Sequence, residues 1–142
     1  MNIALDHFTD KQKLWYAYLV ASAIKSDKEI DASEIDFMIL SLYFLDEENK
    51  KKIRAYLNSP GIHPGIKKIP EGLDKKQLAA IYTELILIIV SDGKLTSLEK
   101  NFLKAVSDIF QFSPGYYHSL IQWAESMWIN ERKRRELIEQ AC

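Results

Sequence analysis

The chain has 142 residues and very little of several things. It has one cysteine, Cys142, at its last position. That excludes a disulfide within the chain and a cysteine-based zinc site. A reducing compartment fits this usage. Net charge is −1, so the bulk balance points to neither nucleic acid nor an acidic membrane surface. The longest purely aliphatic run, Leu85 to Val90, is six residues, against the ~20 that span a bilayer. No transmembrane segment is expected. Met1 to Leu5 carries no basic residue, and no h-region follows, so no signal peptide is expected. A soluble, cytoplasmic, unanchored protein is the default reading.

Chemistry-bearing motifs are scarce as well. His7, His63 and His118 are far apart in sequence, and none has a second ligand four residues away. His63, in a proline- and glycine-rich stretch, stands out most. No glycine-rich phosphate loop, nucleophile elbow or zinc motif occurs. No nucleophile–base pair is visible, so the chain is expected not to be an enzyme.

What the chain does have is helical periodicity. After Thr9, apolar residues recur as Leu14, Trp15, Tyr18, Leu19, Ala21 and Ile24, the spacing of an amphipathic helix over about 10–26. Thr9 with Gln12 forms a capping box at its start. A second helix is expected over about 32–45, with Ile35, Met38, Ile39, Leu42 and Phe44 or Leu45 inward. A third starts near Asp46 and stops at Ser59-Pro60-Gly61. Residues 59–73 hold three of the four prolines and three of the five glycines, and predict a long irregular connection. Helices over about 74–91 and 97–110 follow, the first apolar nearly all round and therefore central. Ser113-Pro114 opens a sixth helix. Asn130 either breaks that helix or caps a last one over about 131–141. No segment alternates as a strand would. The expectation is an all-α, single-domain bundle of about six to seven helices spanning 1–142, made of two related helix–acidic turn–helix units, about 10–58 and 74–128, joined by loop 59–73.

The two units emerge when residue n is set against n+65. Ile24, Ser26-Asp27, Ile30, Asp31 and Glu34 then fall on Ile89, Ser91-Asp92, Leu95, Thr96 and Glu99, and Phe37 falls on Phe102. Each position has a structural reason. Gly93 can take the left-handed conformation that ends a helix, and Lys28 is its costlier counterpart. Ile30 and Leu95 tuck the turns into the core. Asp31 with Glu34, and Thr96 with Glu99, read as capping boxes. Asp27 and Asp92 fit less easily, because each follows a helix C-terminus, where the dipole disfavours an acid. A divalent cation such as Ca²⁺ or Mg²⁺ would suit them, with Asp31, Glu34 and Glu99 adding hard oxygen ligands. The spacing is not that of an EF-hand: twelfth from Asp27 is Met38, where that loop needs a glutamate.

The turn Ser91-Asp92-Gly93-Lys94-Leu95-Thr96, with Glu99 after it and an apolar helix before it, resembles the TerB-like tellurite-resistance superfamily. That superfamily includes the N-terminal-type region of some DnaJ-like membrane chaperones. The resemblance covers about residues 10–125. Repeat 1 departs from the pattern at Lys28, and serine replaces the usual alanine before both aspartates. The resemblance implies an all-helical fold, an acidic surface for divalent metal at Asp27, Asp31, Glu34, Asp92 and Glu99, and a link to stress or tellurium oxyanions. It implies no enzymatic activity.

Two further features point to partners. Adjacent aromatics on a helix diverge by ~100°, so Tyr16 beside Trp15 and Tyr116 beside Tyr117 cannot all face inward. Tyrosines left outside favour interfaces. The basic run Arg132, Lys133, Arg134 and Arg135 could dock a protein or an anionic surface, which leaves peripheral membrane association open. The functional expectation is a helical interaction or adaptor module connected with stress response. The alternative is a divalent-cation-binding module.

Overall fold

A computed structural model describes residues 7–26, 31–59, 61, 64–91 and 94–141. Among them are six α-helices and no strand: α1 Asp10–Ile24, α2 Ala32–Ser41, α3 Glu47–Leu57, α4 Lys75–Val90, α5 Ser97–Phe110 and α6 Pro114–Glu139. No helix among the described residues is long and apolar enough to cross a membrane. The chain divides into two compact units, Met1–Leu73 and Asp74–Cys142.

Every helix starts on a side chain chosen for the task. Thr9, Asp31, Asp46, Asp74, Thr96 and Ser113 each accept from the amide three residues on. Each satisfies one of the four donors that a helix N-terminus leaves orphaned. Thr9–Gln12, Asp74–Gln77 and Thr96–Glu99 close as full capping boxes.

Helix C-termini are handled by cations from elsewhere in the same unit. Lys25 Nζ donates to the Tyr56 carbonyl at 3.1 Å and to that of Ser59, at the end of α3. The same ammonium lies 4.0 Å from the Tyr56 ring centroid, and burial lowers its pKa. Lys75 donates to the Phe110 and Gln111 carbonyls at the end of α5. Arg135 donates from Nη2 to the Ser91 carbonyl, at 2.9 Å, at the end of α4. A positive charge there opposes the negative end of the helix dipole.

In the first unit α3 packs on α1 and α2. Its core joins Ala17 and Ala21 of α1, Ile35, Met38 and Ile39 of α2, and Ile53, Tyr56 and Leu57 of α3. Helix α2 is shorter than the spacing suggests. It stops at Ser41, and residues 42–45 turn so that Leu42 and Leu45 still bury while Asp46 caps α3. Residues 64–73 are fastened to α1 and contain a 3₁₀ turn, Pro64–Lys67. Ile66 is fully buried, and its carbonyl accepts from the Trp15 indole N–H at 3.1 Å. Gln12 Nε2 donates to the Glu71 carbonyl at 2.8 Å. Gly72 beside it has φ +91°, and a Cβ there would meet Gln12 Nε2 at 3.1 Å.

In the second unit α4 packs on both α5 and α6. Leu85, Ile86, Tyr82 and Ile81 of α4 are fully buried, as are Leu103 and Val106 of α5 and Ala124 of α6. Tyr82 donates its hydroxyl to the Leu103 carbonyl at 2.8 Å. Its burial, then the neighbouring Tyr117 and Asp108, raise its pKa strongly, so it stays a neutral donor. Helix α6 runs unbroken through Asn130. Asparagine is a mediocre helix former but carries no proline-like block. Just beyond it, Glu131 pairs with Arg134 and Arg135 one turn on, and this supports the continuation.

Candidate functional site

Asp27 and Asp92 of the acidic turns lie outside the described residues, as do Lys28, Ile30, Gly93 and His63. The remaining acids are engaged in opening helices. Asp31 Oδ1 accepts from the Glu34 amide at 2.8 Å and from the Ser33 hydroxyl at 2.9 Å. Those two bonds, the amide first, hold its carboxyl below the usual range. Glu99 is 4% exposed, and its Oε1 accepts from the Thr96 amide at 2.9 Å. Glu34 is half-buried at the start of α2, and Leu95 is half-buried ahead of Thr96. Among the described residues no three His, Cys, Asp or Glu side chains gather as a metal would need.

The basic run belongs to a network. Arg134 donates from Nε to Glu131 Oε2 at 3.0 Å and from Nη2 to Glu131 Oε1 at 2.7 Å, a bidentate fork. Arg135 adds a bond to Glu131 Oε1 at 3.2 Å while holding the Ser91 carbonyl. Ser91 directly precedes Asp92 in the chain. Arg132 pairs with Glu136 at 3.4 Å and lies over the Trp128 ring at 5.6 Å. The guanidinium of Arg134, then that of Arg135, holds the Glu131 carboxyl down from the usual 4.5 to about 2. The folded state thus prefers the charged carboxylate. This network's contribution is whole above pH 4.5, falls as pH drops through the interval, and is gone below about 2. In a carboxyl-carbon NMR titration, Glu131 is expected to show a midpoint at least one unit below that of an ordinary glutamate. A midpoint near 4.5 would mean that the fork does not persist in solution.

The aromatic candidates divide. Tyr16 is half-buried, set edge-on to Phe8 at 6.3 Å and tilted against Phe44 at 6.2 Å. Tyr116 is more exposed and stands edge-on to Phe112 at 5.0 Å.

Among the described residues, the most exposed large apolar side chains lie on α2 and just past it. Phe37 is 76% exposed, Leu40 77%, and Tyr43, just past the helix, 80%. The inward face of α2 is supplied by Ile35, Met38 and Ile39, so Phe37 and Leu40 occupy the opposite one. At offset 65 the counterpart of Phe37 is Phe102, which is 3% exposed. This face is missing from the sequence reading, which names neither Phe37 nor Leu40 as a partner-binding residue. The signal that could have found it is large apolar residues on the polar side of an amphipathic pattern.

The family model described as "Tellurite resistance protein TerB" matches residues 13–122. The chain belongs to the TerB family. No curated protein and no solved structure is matched at a significant level. The match covers α1 to α5 and the start of α6, so the α2 face and both acidic turns lie inside the TerB region. The basic run at 132–135 lies beyond it.

Proposed function

We propose that this TerB-family chain is a non-catalytic docking module that works in the cellular response to tellurium oxyanions. One observation carries the docking reading: Phe37 and Leu40 stand in solvent on one short, N-capped helix, with Tyr43 exposed just past its end. Rows of large apolar side chains facing water mark interaction surfaces. An aromatic anchor on a rigid element suits the centre of an interface. The tellurite link comes from the family description.

The test uses cells lacking the protein and challenged with tellurite. Wild-type protein should restore growth, and the double variant Phe37→Asp/Leu40→Asp should not. Both side chains are exposed, so no core is lost, and two aspartates on α2, one of them in its last turn, should cost about 1–2 kcal/mol and leave the unit folded. Full protection by a correctly folded double variant would refute the docking reading. No protection by the wild type would remove the tellurite link.

A further inference from the structure

The α2 face has a chemically matched surface on the same chain. From Asp31 to Asn49 there are six acids and no basic residue, and the basic run Lys50, Lys51, Lys52 and Arg54 of α3 follows, with Lys50 and Arg54 paired to Glu47 and Asp36. The exposed stripe of α2 runs Ser33, Phe37, Leu40, flanked by Asp36. Asp36 holds Arg54 at 2.6 Å in an exposed pair, the kind that contributes little and exchanges readily.

The C-terminal part of α6 has the opposite character. Residues 129–138 carry four basic side chains against two acids. Arg134 and Arg135 lie on the side that reaches Glu131 and the end of α4. Positions 129, 133 and 137 fall four residues apart on the other side of the helix. Ile129 is 54% exposed and Leu137 53%, with the exposed Lys133 between them. The result is an apolar–basic–apolar stripe, set against the apolar pair Phe37 and Leu40 and the acid Asp36 of α2.

We propose that the α2 stripe of one copy receives the Ile129–Lys133–Leu137 stripe of α6 from a second copy. This rests on the reading of α2 as a docking face. Apolar side chains supply the contact, and the acidic and basic flanks set its register and partner choice. One helix on another covers less than the roughly 1,600 Å² of a standard interface. Each copy carries both halves, so two contacts form in a reciprocal pair, or one contact per copy in a chain or ring. The charge match makes the association weaken with added salt.

Light scattering after size exclusion, with purified full-length protein up to about 100 µM, tests this well above a micromolar dissociation constant. Wild type should run heavier than one chain. Leu40→Glu alone and Leu137→Glu alone should each run as a single chain, with melting like that of wild type compared at a dilution where wild type is also a single chain. An equimolar mixture of the two should associate again, because each variant keeps the half the other lacks. A monomeric wild type overturns the proposal. So does association lost in Leu40→Glu but kept in Leu137→Glu, which would indicate α2-on-α2 pairing, and so does a mixture that stays monomeric. None of these outcomes touches the broader docking reading, which the tellurite challenge of the Phe37→Asp/Leu40→Asp variant decides separately.

Discussion

Truncating Trp15 to alanine is expected to cost the first unit about 3–5 kcal/mol. The side chain is 4% exposed and does two jobs. Its ring fills the space between α1 and the stretch 64–73, and its indole N–H satisfies the Ile66 carbonyl at 3.1 Å. Alanine leaves both a cavity and an unpaired carbonyl beside a fully buried Ile66. Trp15→Phe separates the two effects. It keeps most of the apolar bulk and loses only the donor, so about 1–3 kcal/mol is expected. Against a usual stability of about 5–15 kcal/mol, the alanine variant would leave the unit close to unfolding. Urea denaturation read by amide exchange in residues 10–57 measures it. A loss under ~1 kcal/mol for alanine would mean that the 3₁₀ turn is not anchored through Trp15.

Leu85→Ala is the matching case in the second unit. Leu85 is fully buried at the middle of α4, the helix that touches both α5 and α6. The expected loss is about 2–5 kcal/mol, the range depending on how far the neighbours collapse into the cavity. Leu98, on α5 and 56% exposed, is the control. The same leucine-to-alanine change there should stay within ~0.5 kcal/mol. Equal effects at the two positions would contradict the placement of α4 at the centre of its unit.

Much of the fold was legible because helix starts are local chemistry. Thr9 with Gln12, Thr96 with Glu99 and Ser113 before Pro114 are each spelled within three or four residues, and each forms as spelled. Helix ends were not legible in the same way. Lys25, Lys75 and Arg135 reach carbonyls 31 to 44 residues away, and no local pattern announces such a partner. The stretch 59–73 reads as a loop because proline and glycine dominate it. Its attachment depends on Ile66 and on side chains of α1, more than fifty residues back.

The candidate site divides along the same line. The capping roles of Asp31 and Glu99 follow from sequence, and the structure places both carboxylates at helix starts. From sequence the basic run reads as a solvated helix face that could dock a protein or an anionic surface, and its internal pairing is not visible there. The structure ties Arg134 and Arg135 to Glu131, because i, i+3 and i, i+4 pairs share a helix face. Phe37 and Phe102 are the same residue type in the same register, yet one is bare and one is buried. What decides that is the element lying over each helix, and no single-helix pattern contains it.

The central claim is that α2 of this TerB chain is a docking face. Site-specific photo-crosslinking in the native cell tests it most directly. A photoreactive residue replaces Leu40 in one protein and Lys76, an exposed position on α4, in another. If α2 is a docking face, position 40 gives a discrete adduct that disappears with Phe37→Asp, and position 76 gives none. No adduct from position 40, or equal capture from both positions, would contradict it.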